Sequence, residues 1–195
     1  MMKYSILLGV NTERNNNLNN MRKRDVPLYH GLPNDLKNNG YHNIGFMTHT
    51  KTFDNLDYFL PANGYDRVFG KEDYPASEYV NIWGVPDEYM LNYSITKMDS
   101  VAQKDEPFMA TIITVANHPP FLYPDKFDPV SSLEDERVMA YGDSYINDFI
   151  QKISEKPWYE NTVFIFVGDH GNTHKSFESK KYDLPLSLTH VPMII

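Results

Sequence analysis

Three apolar runs along this chain predict buried strands of a sheet. They cover residues 44–47, 107–116 and 162–167, and turn-forming or polar residues bound each of them. The second run is nearly unbroken and rich in β-branched residues, which is typical of a central strand covered on both faces. A last apolar run occupies residues 191–195.

Amphipathic segments lie between these runs and predict helices. The predicted helices cover residues 33–40, 53–60, 86–102 and 131–154. Ser132 and Asp135 form a plausible cap signal at the start of the last one. Strands that alternate with helices predict an α/β fold with a largely parallel sheet. At 195 residues without internal repeats, the chain suits one domain.

Composition excludes several classes of function. The formal net charge of -8 argues against nucleic-acid binding, which needs clustered basic residues. The chain has no cysteine, so disulfides, thiolate catalysis and zinc–thiolate sites are excluded. No apolar run approaches the roughly 18 residues of a membrane span, and the N-terminus has no signal-peptide pattern.

Titratable residues follow the predicted strands directly. Thr48-His49 comes after the first, Asn117-His118 after the second and Asp169-His170 after the third. Ligands of open α/β sheets bind beyond the carboxyl ends of the strands. If the second and third strands are neighbours, their polar ends point into one crevice.

Asp169-His170 is the sharpest of these features. A carboxylate beside an imidazole suits a divalent ion, and glycines on both sides allow the turn that would bring both side chains to one metal. The alternative is an Asp-His pair in an ordinary turn. Its place after a six-residue apolar strand favours the metal site.

The other histidines carry weaker signals. For His118, a functional role and the capping of loop backbone groups remain equally open, and His49 has less support still. Local sequence favours a surface position for the remaining four: His30, His42, His174 and His190.

Five segments, in order, resemble the sulfatase family of the alkaline-phosphatase superfamily, and in particular its lipoteichoic acid synthase-like phosphoglycerol transferases. The segment 160–171 is similar to the "NT-strand-x-DHG" signature, and 107–121 to a "PF-strand-NHxPF" block. The other three lie within 32–41 ("LPxxLKxxGY"), 51–66 and 141–149.

The resemblance implies a three-layer α/β/α sandwich, alkaline-phosphatase-like but incomplete, with residues 1–195 as part of one catalytic domain. It implies one divalent metal ion, Mn²⁺ first, with Mg²⁺ or Ca²⁺ as alternatives, and it matches Asp169 and His170 to the metal ligands. His118 matches a catalytic histidine that contacts the phosphoryl group or its leaving group. His49 lies in a block that supplies further substrate contacts.

The activity implied is that of a metal-dependent phosphoglycerol transferase or sulfatase-family hydrolase, acting on phosphate or sulfate esters of lipids or glycans. A sulfuric ester hydrolase, a phosphodiesterase and a non-catalytic truncated remnant remain alternatives. The resemblance places the parent protein at the extracytoplasmic face of a bacterial membrane or in the periplasm, attached through N-terminal helices. Self-association of the piece through uncovered sheet edges is a further hypothesis.

Two departures from the family pattern bear on activity. Asp54 and Leu56 stand where the family has a Trp-x-Arg pair, so recognition of substrate by that arginine is lost. The family nucleophile, a threonine in this branch, lies upstream of the block at residues 32–41, and no recognisable nucleophile block occurs there. We therefore expect no catalytic nucleophile in this chain and negligible turnover from it alone.

Overall fold

The computed structural model describes residues 28–121, 127, 132–170 and 191–195. Helices and strands alternate along most of this part of the chain. In chain order they are α1 (Leu32–Asn38), β1 (His42–Met47), α2 (Leu56–Ala62), β2 (Arg67–Phe69), α3 (Asp87–Ala102), β3 (Phe108–Ile113), α4 (Glu134–Ser154), β4 (Phe166–Val167) and β5 (Met193–Ile194).

The main sheet has three parallel strands in the order β2-β1-β3. The register between β1 and β3 joins His42 to Phe108 and Met47 to Ile113. All six β3 residues are half-buried, and β1 is its one strand partner within the described ranges. Our expectation of a fully covered central strand therefore fits β1, which is buried over five of its six residues, better than β3.

Helices cover both faces of this sheet. Ile44 and Phe46 of β1 pack with α3 and α4, and the Phe46 ring stacks on Phe69 at 5.2 Å between centroids. Met47, on the other face of β1, packs with Leu56 and two further apolar residues of α2. The two separate apolar clusters give the α/β/α layering that the sequence predicts, since a strand alternates its side chains between faces.

The long helix α4 begins later than its sequence suggests. Its first residue is Glu134 and Leu133 occupies the N-cap position, so the predicted cap formed by Ser132 is wrong. Val138, Tyr141, Tyr145 and Phe149 are buried, as the helical spacing predicts. Tyr141, Tyr145 and Phe149 join the apolar cluster that packs on the Ile44 and Phe46 face of the sheet.

The predicted buried strand at residues 162–167 is confirmed as a strand for Phe166–Val167 alone, and its burial is wrong, because none of these six residues is buried. This short β4 pairs antiparallel with β5, whereas β3 pairs with β1. The condition under which Asn117-His118 and Asp169-His170 would point into one crevice, that their strands are neighbours, is therefore not met in the described pairings. In the same residues, no helix is long and apolar enough to cross a membrane.

Candidate functional site

Two histidines meet around a tryptophan at the carboxyl end of the parallel sheet. His49 is the second residue after β1, and His118 is the fifth residue after β3, the neighbouring strand. The Trp83 ring packs edge-on against both, with its centroid 4.6 Å from the His118 ring and 6.3 Å from the His49 ring. His49 is buried, while His118 is exposed to solvent.

The backbone sets the tautomer of both rings. Nδ1 of His49 lies 3.0 Å from the carbonyl of Thr50, and Nδ1 of His118 lies 2.8 Å from the carbonyl of Pro119. A carbonyl oxygen only accepts hydrogen bonds, so Nδ1 carries the hydrogen in each ring. In the neutral imidazole, Nε2 is then the nitrogen with the lone pair.

The loop before α3 holds Trp83 against His118. The indole Nε1 donates to the carbonyl of Pro119 at 3.1 Å, the same oxygen that accepts from His118. Gly84 has φ +94°, and a Cβ there would stand 2.2 Å from the carbonyl oxygen of Thr48. Only glycine permits this approach of the loop to the end of β1.

One pocket, of about 340 Å³, opens beside His49 and Trp83, and His118 is not among its lining residues. Its lining residues are His49, Thr50, Thr52, Phe53, Ile82 and Trp83. The Phe53 ring lies 4.9 Å from His49 and 5.8 Å from Trp83, so aromatic rings form much of the wall. No Lys, Arg, Asp or Glu is among these lining residues.

Leu56, one of the two departures from the family pattern, is a core residue. It is 1 % exposed and packs in the apolar cluster of α2 with Phe59 and Met47. Its side chain is therefore part of the core and does not face a substrate. Asp54, the other departure, lies in a turn with φ 56°.

A second, apolar pocket of about 220 Å³ also has Trp83 in its lining. It is lined by Val80, Asn81, Trp83, Val85, Pro86, Asp87, Val115, Ala116, Pro120 and Tyr141. Asp87 is its one ionisable acid and is 2 % exposed. Sequence reasoning missed both Trp83 and Asp87, although Trp83-Gly84 in a Gly- and Pro-containing loop before a helix was a usable signal.

Asp87 forms a dense set of hydrogen bonds. Its Oδ2 accepts from the amide of Ala116 at 2.8 Å and from the Tyr145 hydroxyl at 3.0 Å, and both oxygens lie 3.0 Å from the amide of Val115. Burial raises the pKa of the Asp87 carboxyl above its ordinary value, and these hydrogen bonds oppose part of that rise.

Asp169 and His170 follow β4 and have the donor types of a metal site. Asp169 Oδ2 and His170 Nε2 are 3.7 Å apart, and both side chains are exposed. The two fit as adjacent ligands of one divalent ion. Within the described ranges, no group of three His, Asp or Glu side chains is placed to share a metal.

The remaining histidines do not join this site. His42 lies at the opposite end of β1, 3.9 Å from Asp66, and His30 is exposed before α1. His174 and His190 lie outside the described residues.

The amino-acid sequence is similar to those of known bacterial proteins. The chain is 32 % identical over 151 residues to the lipoteichoic acid synthase-like YvgJ of Bacillus subtilis, covering 73 % of this chain and 24 % of that protein. It is 28 % identical over 147 residues to phosphoglycerol transferase I of Citrobacter koseri, covering 69 % and 19 %. The chain thus spans about a quarter or less of these relatives.

The fold is that of the alkaline-phosphatase superfamily. A solved protein of that superfamily from Vibrio parahaemolyticus superposes with a TM-score of 0.84 at 22 % identity, over 98 % of this chain and 47 % of that one. The family model described as Sulfatase matches residues 4–195. This chain belongs to the sulfatase family, as its five sequence blocks predict.

Proposed function

We propose that this chain is part of a metal-dependent enzyme that transfers or hydrolyses phosphate esters, with phosphoglycerol groups as the substrate class. The observation that carries the proposal is the pair of histidines with common Nδ1–H tautomers around Trp83, at the carboxyl end of a parallel sheet. The names of the relatives, a phosphoglycerol transferase and a lipoteichoic acid synthase-like protein, favour phosphate over sulfate.

His118 acts in this proposal on the leaving-group side. In its cationic form it donates the Nε2 proton to the leaving oxygen as the phosphorus–oxygen bond breaks, and the ring stays oriented because Nδ1–H remains bonded to Pro119. His49 is buried and lines the pocket beside Trp83, where it would contact the phosphoryl group. Phe53 and Trp83 form the aromatic wall beside this contact.

A divalent ion is part of the proposal, since enzymes of this superfamily generally use one. Asp169 and His170 would hold it. Such an ion neutralises charge on phosphoryl oxygens and lowers the pKa of a hydroxyl nucleophile. The resemblance places the nucleophilic threonine upstream of residue 32, where the sequence has no recognisable nucleophile block, so our proposal concerns binding and leaving-group protonation.

The proposal is tested by ligand binding, which needs no turnover. Trp158→Phe leaves Trp83 as the single tryptophan, because the chain has two. In that background with Mn²⁺ present, we expect sn-glycerol 1-phosphate to change the Trp83 fluorescence in a saturable way. His118→Ala should weaken the affinity about tenfold or more, through the loss of a hydrogen bond to a charged group.

His42→Ala is the matched control, because it removes a histidine at the far end of β1 and should leave the affinity unchanged. Inorganic sulfate, titrated in parallel, separates the ester classes. A stronger response to sulfate than to glycerol phosphate would favour a sulfuric ester hydrolase. No response to either would favour a non-catalytic remnant.

A further inference from the structure

Asp87 is a buried acid whose partners belong to the segment that carries His118. It is the first residue of α3. Its carboxylate accepts hydrogen bonds from the amides of Val115 and Ala116, which lie between the end of β3 and His118. Those amides lie beyond the last paired residue of β3, and no strand in the described part of the chain accepts from them. A buried amide needs an acceptor, and Asp87 supplies it.

The connection to His118 is short. The backbone N–H of His118 donates to the carbonyl of Val115 at 2.8 Å, and the amide of Val115 donates to Asp87. Two hydrogen bonds therefore link the backbone of His118 to the start of α3. On the other side of His118, the carbonyl of Pro119 accepts from Trp83, four residues before Asp87.

Tyr145 fixes the Asp87 carboxylate from α4. Burial raises the pKa of the Tyr145 hydroxyl, and the negative charge of Asp87 raises it further, so the hydroxyl stays protonated and donates. The carboxylate thus has donors from the loop after β3 and from α4, while its own backbone belongs to α3. A substitution at Asp87 would therefore alter hydrogen bonds that join α3 to α4 and to the loop after β3.

We propose that Asp87 is a positioning residue for His118, which sets the ring against Trp83 by holding the amides of Val115 and Ala116. The role of His118 in this proposal rests on the proposed function. The geometry rests on the contacts of Asp87 given above. A plain structural role is the alternative, in which Asp87 stabilises the fold and its loss affects His118 no more than other regions.

Asp87→Asn tests the proposal, because an asparagine keeps the size but turns one acceptor into a donor facing backbone amides. The readouts are the ring ¹⁵N shifts of His118 and the hydrogen exchange of the Val115 and Ala116 amides in the ¹⁵N-labelled chain. We expect exchange to accelerate about tenfold or more and the His118 shifts to change.

Asp99→Asn is the matched control. Asp99 also lies on α3 and also accepts two side-chain hydrogen bonds, from Lys156 at 2.6 Å and from Trp158 at 2.9 Å. This substitution should leave the His118 signals at their wild-type positions. If Asp87→Asn and Asp99→Asn affect the His118 loop equally, the positioning role is overturned.

Tyr145→Phe keeps the test decisive should Asp87→Asn fail to fold, because it removes one donor to the carboxylate and leaves both amides bonded. We expect a smaller shift of the same His118 signals, and unchanged signals would overturn the proposal. These readouts involve no substrate. Failure of the glycerol phosphate titration in the wild-type chain would therefore count against the proposed function alone.

Discussion

His118 and His49 owe their common tautomer to a hydrogen bond within their own loops. Each ring donates Nδ1–H to the carbonyl of the following residue, Pro119 or Thr50. Because that bond spans one residue, it survives small movements of the sheet. What it does not set is the distance between the rings, which depends on Trp83 and on the loop that bears it.

Gly84 is the residue that lets this loop approach the sheet. Gly84→Ala should lower the free energy of unfolding by about 2 kcal/mol or more, because a side chain at positive φ is strained and its Cβ would overlap the Thr48 carbonyl. Urea denaturation followed by Trp83 fluorescence measures the change.

Gly142→Ala serves as the control for Gly84→Ala. Gly142 lies within α4, and the nearest atom to an added Cβ, the Tyr145 hydroxyl oxygen, is at an ordinary 3.6 Å. We expect this substitution to raise the free energy of unfolding by about 0.5–1 kcal/mol through helix propensity. Wild-type stability for Gly84→Ala would contradict the close approach.

At the scale of elements, the parallel pairing of β1 with β3 brings the site together. The pairing places Met47 opposite Ile113, so the loops that follow both strands leave the sheet at one edge. At the other end of β1, its amino end, hydrogen bonds join the strand to the residue that precedes β2. There the amide of Asn43 donates to the Asp66 carboxylate at 2.8 Å, and the amide of Asp66 donates to the carbonyl of Asn43 at 2.9 Å.

The Asp66 carboxyl at the amino end of β1 makes the stability of the fold depend on pH. Burial opposes ionisation of Asp66, but hydrogen bonds from Lys37 and the Asn43 amide, with the positive charge of Lys37, hold its pKa below the ordinary value. A carboxyl with a lowered folded pKa stabilises the fold above its unfolded pKa. That contribution is lost as the pH falls through the folded pKa.

Asp66→Asn should therefore lower the free energy of unfolding near neutral pH by no more than about 1 kcal/mol, since the ion pair is partly exposed. The difference from wild type should begin to shrink below about pH 4, the ordinary range of an Asp pKa, and disappear once the pH is below the lowered pKa of the folded state. Urea denaturation at both pH values measures it. A difference of the same size for exposed Asp148→Asn, or one that grows in acid, would contradict this assignment.

At the scale of the whole molecule, the number of available ligands limits how tightly the chain can bind a metal ion. Asp169 and His170 supply two ligands, whereas divalent ions in proteins take about four or more. We expect weak binding of Mn²⁺ by this chain, with a small calorimetric heat and a small rise in the thermal unfolding midpoint.

Asp169→Ala should abolish both effects of Mn²⁺, because it removes the carboxylate of the pair. Asp148→Ala removes an exposed carboxylate from α4 and should leave them unchanged. Equal heats in the two variants would show that Mn²⁺ binds elsewhere. Absence of heat in the wild-type chain would remove the metal from the proposal for this chain.

Local sequence was sufficient for much of this protein. The apolar runs indicate β1 and β3, the helical spacing indicates α3 and α4, and the family blocks indicate the fold class. These succeed because periodicity and short motifs depend on residues that are close along the chain. The same holds for placing His118 and Asp169-His170 directly after apolar runs.

The tertiary structure alone decided which of these residues meet. His49 and His118 are brought to one tryptophan by a pairing between strands more than 60 residues apart. Trp83 contacts His118 and Asp87 contacts Ala116, and local sequence does not specify partners so far along the chain. Leu56 is a core residue because α2 packs on the sheet. Which strands pair, and which side chains a loop then brings into contact, depends on long-range packing that no short segment of sequence contains.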